Sequence, residues 1–257
     1  MNESNILDSV NKEVYARADV VKRYENLDMM LKPEKLLLEQ LAPSIRDQKI
    51  LDIGIGGGRT TKYLLQLSKD YTGIDYSPEF VAVAQAKYTE ARILCCDARD
   101  LTIFADQSFA FVLFSFNSID YIPHEDRKKA LREIYRVLKP GGVFMFSTHN
   151  RDHEGFNQLP WQGAFQFNLN YVKNCLYCLY YLPKHLRMKK HENFQPEYAV
   201  INDNAHGFSL LAYYISIPEQ TKQLAEIGFS SVEAYDMEGR LVTSDTTFPW
   251  TYYLAKK

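Results

Sequence analysis

The stretch 50–61, ILDIGIGGGRTT, sets Gly54, Gly56, Gly57 and Gly58 directly after an apolar run. Glycine is entropically costly, so such a cluster means that something must come close to this main chain. A strand feeding a glycine-rich turn into a helix start brings backbone up to a ligand in the crevice at a sheet edge. Missing residues narrow the ligand's chemistry. A phosphate-cradling loop needs GxxxxGK[ST], and no lysine follows the last glycine. A dinucleotide site needs GxGxxG, and Arg59 stands where the third glycine should be.

What remains is a nucleoside without a pyrophosphate, S-adenosylmethionine, whose amino-acid and sulfonium portion would lie beside Gly54, Gly56 and Gly58. Asp75, nineteen residues beyond Gly56, is spaced to accept both hydroxyls of a ribose. Asp75 alone does not separate this ligand from a dinucleotide, because both carry that sugar. Asp97, in CCDA, is placed to accept from an adenine amino group, with the Ala98 backbone beside it.

These residues need a scaffold that gathers strand ends. Apolar strand-like runs alternate with amphipathic helical stretches through the first 150 residues. Strands are expected at 50–53, 71–75, 91–96, 109–116 and 143–147, and helices at 60–67, 78–88 and 123–138. The run FAFVLFSF is too continuously apolar for an exposed strand and suits a parallel sheet covered on both faces. Ser77-Pro78 reads as a capped helix start. The rhythm breaks near Asn150 and returns with a helix at 218–227 and strands at 232–235 and 250–255. The expected fold is α/β, a doubly wound and mostly parallel sheet. Two helices at 14–31 and 34–41 precede it, and 151–213 forms an insertion over the sheet's C-terminal edge.

The sequence resembles a class I S-adenosylmethionine-dependent methyltransferase of the small-molecule type. LDIGIGGG resembles that family's first motif, YTGIDYSPEF its ribose segment, CCDARDL its adenine segment and LREIYRVLKPGGVFMFS the stretch leading into its fifth strand. The resemblance implies one Rossmann-like domain over 1–257 with a seven-stranded sheet whose last strand is antiparallel. A helical cap at 1–45 and a substrate lid at 151–213, inserted after strand five, would complete it. The implied cofactor contacts are Tyr15, Tyr24, Asp52, Gly54, Gly56, Gly58, Asp75, Tyr76, Asp97, Ala98 and Ser115. Tyr76 would pack on adenine, and the two tyrosines of the N-terminal helices would close over the methionyl end.

A sulfonium methyl is already electrophilic, so such an enzyme must align a nucleophile and exclude water. A hydroxyl acceptor benefits from a base; an amine need only arrive neutral. Asn117, Tyr121 and Asn150, on the segments following strands four and five, are the candidate acceptor contacts. His149 is the first candidate base and His206 the second, because imidazole titrates near neutrality. FNSIDY is not the [DNS]PP[YF] motif of many exocyclic-amine methylases, which argues against that branch of nucleic-acid enzymes. The expected activity is O- or N-methylation of a small molecule without a metal. The alternatives are methylation of RNA or protein, or a binding protein without turnover.

A net charge of −2 gives no global attraction to nucleic acid or anionic lipid. The N-terminus lacks the basic flank and apolar core of a signal peptide, and the expectation is a cytoplasmic chain with reduced cysteines. The lone CxxC at Cys175 and Cys178 lacks a second half to complete a zinc site. The apolar stretch 174–182 leads into a basic run carrying Lys184, Arg187, Lys189 and Lys190. Membrane-surface contact through 174–190 ranks here below a core-packed helix followed by a solvated loop. Nucleic acid is not the expected partner, and nothing in the sequence indicates an oligomeric state. The aromatics of the insertion, among them Phe156, Trp161, Phe165, Phe167 and Tyr214, suit either an enclosed pocket or a small second core.

Overall fold

A computed structural model describes residues 3–163 and 168–257; Phe165 and Phe167 lie outside the described residues. Three helices come first: α1 (Glu3–Tyr15), α2 (Ala18–Glu25) and α3 (Lys32–Ile45). The alternating unit follows as β1 (Ile50–Ile53), α4 (Thr61–Leu67), β2 (Tyr71–Asp75), α5 (Pro78–Lys87), β3 (Arg92–Cys95), β4 (Phe109–Phe114), α6 (His124–Val137) and β5 (Leu138–Asn150). The insertion supplies α7 (Leu169–Met188), β6 (Asn193–Phe194), β7 (Tyr198–Ile201) and β8 (Ala212–Ile215). The chain closes with α8 (Ile217–Ile227), β9 (Ser231–Tyr235), β10 (Leu241–Val242) and β11 (Trp250–Lys256).

Strands β3, β2, β1, β4 and β5 run parallel in that spatial order, and β11 slots antiparallel between β5 and β9. Because successive side chains point to opposite faces, neighbouring residues feed two cores. Val112, Phe114, Phe144 and Phe146 pack against Leu131 and Ile134 of α6 and Leu224 of α8. Phe111, Leu113 and Met145 face Leu37 of α3, Leu64 of α4 and Val81 of α5. The sheet is therefore covered on both sides, as its continuous apolar runs require. The start of α5 uses the Ser77-Pro78 signal: the Ser77 hydroxyl accepts from the Phe80 N–H, and Pro78 opens the helix.

Three expectations are corrected. The single helix at 14–31 is two pieces, with Arg17 extended between α1 and α2; the break lets the end of α2 rest on the glycine loop. The sheet exceeds seven strands. β10 adds a two-residue edge beside β9, and β8 pairs parallel with the last two residues of β5, His149↔Tyr214 and Asn150↔Ile215. Through β8, the insertion's β7 and β6 join the same sheet, so the insertion is held by main-chain hydrogen bonds. These strands are two to four residues long, too short to print a period on the sequence. Finally, α7 is not packed into a core. It runs through most of the basic stretch and buries only Cys178 and His185.

Candidate active site

A cavity lies at the C-terminal tips of β1, β2, β3 and β4 and is roofed by α1 and α2. Gly54, Gly56, Asp75, Tyr76, Asp97, Ala98 and Ser115 are on its wall, together with Tyr15, Tyr24 and Tyr121. The glycines that lead into it have different neighbours. A Cβ on Gly57 would stand 2.6 Å from the Glu25 Cα and 2.7 Å from the Tyr24 carbonyl oxygen. What presses on the main chain there is the protein's own helix α2. Gly56, at φ +53°, has nothing within 4 Å of the corresponding position and faces open cavity. A Cβ on Gly54 would meet the Phe114 ring at 3.0 Å, and one on Gly58, which is not on the wall, the Tyr88 ring at 2.5 Å.

The Asp75 carboxylate closes the turn. Its Oδ2 accepts the Gly56 N–H at 2.9 Å and its Oδ1 the Ser77 N–H at 2.9 Å. Each oxygen of a carboxylate can accept more than one donor, so capacity remains toward the cavity. Burial pushes the Asp75 carboxyl up to about 6, against the pull of those N–H groups. Asp52 does not reach the cavity. It lies beneath the loop, accepting the Thr60 hydroxyl at 2.7 Å and the Tyr71 hydroxyl at 3.1 Å, and burial pushes it up to about 7.

Two arginines on the cavity wall went unassigned in the sequence. Arg59 makes a two-pronged pair with the fully buried Glu34 of α3, at 2.6 and 2.7 Å, and donates to the Ser115 hydroxyl at 3.0 Å. One guanidinium thus ties the helical cap to the glycine turn and the tip of β4. Arg99 grips both oxygens of Asp97 and reaches Asp126 of α6 at 3.0 Å and Asp8 of α1 at 3.2 Å. Burial alone would raise the Asp97 carboxyl, but the Arg99 hydrogen bonds outweigh it and hold the group low. Arg59 did carry a signal, as the residue displacing the third glycine; its partner Glu34, in the first turn of α3, reads in sequence only as a helix-start carboxylate, and it also accepts the Leu31 N–H.

Residues 51–146 match the family described as methyltransferase domain. A ubiquinone biosynthesis O-methyltransferase of Pseudomonas entomophila is 31% identical over 118 residues, 44% of this chain and 49% of that protein. A demethylmenaquinone methyltransferase of Chlorobaculum parvum is 37% identical over 98 residues, 38% of this chain and 39% of that protein. The chain thus spans less than half the length of these curated relatives. The crystal structure of Burkholderia thailandensis 1,6-didemethyltoxoflavin-N1-methyltransferase, with bound 1,6-didemethyltoxoflavin and S-adenosylhomocysteine, shares the fold at TM-score 0.62 and 17% identity, covering 99% of this chain and 90% of that one. Residues 51–146 thus carry a methyltransferase domain, and the chain has the fold of S-adenosylmethionine-dependent methyltransferases.

Beyond the β4 side of the cavity, around the end of β5, lies a second cluster. Asp120, fully buried, accepts from Arg127 at 2.6 Å, from the Thr148 hydroxyl at 2.5 Å and from the His149 N–H at 2.7 Å. Arg127 continues to Gln220 at 2.8 Å and lies over the Tyr213 ring. The His149 ring Nδ1 is 2.7 Å from Asp120 Oδ2 yet out of hydrogen-bond alignment, a close electrostatic contact. The imidazole stacks on Tyr214 and stands edge-on to Trp250 and Tyr121. His149 is not on the cavity wall; it is one ring behind, with Tyr121 between.

The remaining candidates divide. The His206 Nε2 is 3.2 Å from the Tyr24 hydroxyl, and burial, with Arg23 and Arg17 nearby, pushes its pKa down. The Asn150 side chain is fully engaged, donating to the Asp245 and Phe248 carbonyls and accepting the Asp152 N–H, so it holds a loop. Asn117 is the reverse. It is buried in the left-handed conformation, its N–H donates to the Ser147 hydroxyl, and neither end of its side-chain amide has a partner. A buried amide with nothing to bind marks a place where a partner belongs. Among the described residues no group of three or more His, Cys, Asp or Glu could hold a metal ion, and no helix is long and apolar enough to cross a membrane.

Proposed function

We propose that the protein transfers a methyl group from S-adenosylmethionine to an oxygen or nitrogen of a small-molecule acceptor by in-line displacement. The cavity fits the donor. Asp75 keeps acceptor capacity for the ribose hydroxyls, and the open backbone at Gly56, with Gly54, leaves room for the methionyl portion. Tyr76 would pack on adenine. Because Arg99 takes both Asp97 oxygens, the Ala98 main chain is better placed than that carboxylate to read the adenine edge. Tyr15, Tyr24 and Ser115 complete the wall at the methionyl end.

The observation that carries the reading is a shared partition. Phe116 and Tyr121 line the cavity and also touch the second cluster, Phe116 against Trp250 at 5.2 Å and Tyr121 against His149 at 6.5 Å between ring centroids. An acceptor lodged among His149, Tyr214 and Trp250 would therefore sit next to the donor's site. When bound, the donor supplies an electrophilic methyl carbon on a sulfonium. The chain's own residues do the rest. The orphaned Asn117 amide and Tyr121 hold the acceptor, the aromatic walls exclude water, and His149, steadied by Asp120, takes the proton of a hydroxyl acceptor. His206 ranks second because its Nε2 already meets Tyr24.

A small acceptor is favoured by the roof of α1 and α2 and by the segment carrying His206, which stacks on Tyr24 of the cavity wall. The kinship with a demethylmenaquinone methyltransferase and the fold shared with a toxoflavin-precursor methyltransferase point the same way. Calorimetry with S-adenosylmethionine and S-adenosylhomocysteine tests the donor; no binding of either would remove the reading. Methyl-labelled donor incubated with separate metabolite, RNA and protein fractions tests the acceptor. Label is expected in the metabolite fraction, and label confined to RNA or protein would overturn the small-molecule class.

A further inference from the structure

Helix α7 presents its apolar side outward. Cys178 and His185, seven residues apart, mark the inward face. On the opposite face run Leu169, Val172, Leu176, Leu179 and Leu186, with Leu169 77%, Leu176 61% and Leu186 62% exposed. Their spacing of three, four and seven residues keeps them on one side of a helix. Over about 25 Å of helix they form a continuous stripe at 1.5 Å per residue. Scattered exposed leucines need no explanation, but a contiguous apolar stripe marks an interaction surface.

The charges beside the stripe say what it meets. Lys173, Arg187, Lys189 and Lys190 are exposed along the same helix and the turn after it, and no acidic residue occurs from Leu169 to His191. Two copies of this helix laid face to face would set like charges together with no carboxylate to answer them, which disfavours self-association. An apolar stripe flanked only by cations, with tyrosines at its border (Tyr180 is 77% exposed), matches helices that lie in the plane of an anionic bilayer surface. We infer that α7 docks this protein onto an anionic lipid surface, leucines in the acyl boundary and lysines at the headgroups.

The docking face backs onto the candidate site. The inner side of α7 holds the segment that carries His206: the Tyr177 hydroxyl donates to the Asn204 carbonyl, His185 Nδ1 meets Asn202 at 3.0 Å, and Lys184 bonds to Ser209. A bound surface would therefore lie across α7 from the segment whose His206 meets Tyr24 of the cavity wall. This inference does not depend on the methyl acceptor, since it concerns lipid binding by the whole chain.

The full chain is sedimented with vesicles of phosphatidylcholine alone and of phosphatidylcholine with phosphatidylglycerol. Binding is expected to the anionic vesicles, weakening with added salt as screening grows. The double variant Leu176→Asp/Leu179→Asp should lower the partition coefficient by about tenfold or more, since burial in the acyl boundary scales with apolar area. Lys189→Glu/Lys190→Glu should weaken it by about thirtyfold or more, at roughly 1 kcal/mol per basic residue near the surface. All four positions are exposed, and unchanged circular dichroism and melting temperature verify that the variants fold. Absence of binding overturns the inference, as does equal binding to neutral vesicles or binding the leucine variant leaves intact. Sedimentation velocity showing a dimer that the leucine variant dissolves would assign the stripe to a second copy. Binding to polyglutamate without binding to vesicles would assign it to an acidic polypeptide; either result overturns the lipid surface.

Discussion

At the tips of β1, β2 and β3 the cavity wall is main chain and carboxylate, taken from short stretches: a turn at 54–58, Asp75 at a strand end, Asp97 just past another. At the tips of β4 and β5, behind the wall, side chains distant in sequence are drawn together. Asp120 gathers Arg127, Thr148 and His149, and Arg127 in turn reaches Gln220 and Tyr213. One half is local and tolerates solvent at its edge; the other is a dry, charged network. The half that would serve the donor therefore needs its backbone shape, whereas the half that would serve the acceptor needs every member of its network in place.

Several substitutions should pull the halves apart. The largest effect is expected from His149→Ala, which should lower turnover by about 100- to 10,000-fold, the usual reach of a general base. Affinity for S-adenosylhomocysteine, measured by calorimetry, should stay within a few-fold; an equal loss of both would mean the halves are one unit. Asp120→Ala should come next. It strands the buried Arg127 guanidinium and should destabilise the fold by about 3–5 kcal/mol, read from urea denaturation.

On the donor side, Asp75→Asn should weaken cofactor binding by about 2 kcal/mol, the loss of hydrogen bonds to a charged group. The same carboxyl gives a pH signature. Burial raises it from an ordinary 3.8 to about 6, so the folded state holds the proton more tightly than the unfolded one. Its contribution to stability therefore declines as pH rises between those values. Ribose hydroxyls need the ionised form, so cofactor affinity should be level above pH 6 and fall by up to about tenfold per pH unit below it. A profile that remains in Asp75→Asn would assign the titration elsewhere. The smallest effects separate the glycines. Gly57→Ala presses on the main chain of α2 and should cost about 1–3 kcal/mol of stability, as overpacking does. Gly56→Ala meets no atom and should cost only about 1 kcal/mol of left-handed strain.

The same contrast explains what could be read in advance. The glycine turn, Asp75 and the Ser77-Pro78 helix start are each written in a few adjacent residues, so their positions follow from spacing alone. The Asp120 network is not, because Arg127 and Gln220 look like ordinary residues of amphipathic helices until the fold brings them together. The role of the four glycines was legible only in part: Gly56 opens toward the cavity, whereas Gly57 exists for α2. The insertion was least legible, since its strands are too short to show alternation and α7 turns outward a face that would ordinarily be buried.

The seam between α2 and the glycine loop has one more consequence. At Gly57 the touching atoms are the Glu25 Cα and the Tyr24 carbonyl, main chain meeting main chain. Such a joint demands no particular side chains from the helix that sits on it, only a hydrogen in place of a methyl beneath. The cap can therefore drift freely in sequence at that joint while its seating stays constant, and a chimera importing a foreign helix there should still close.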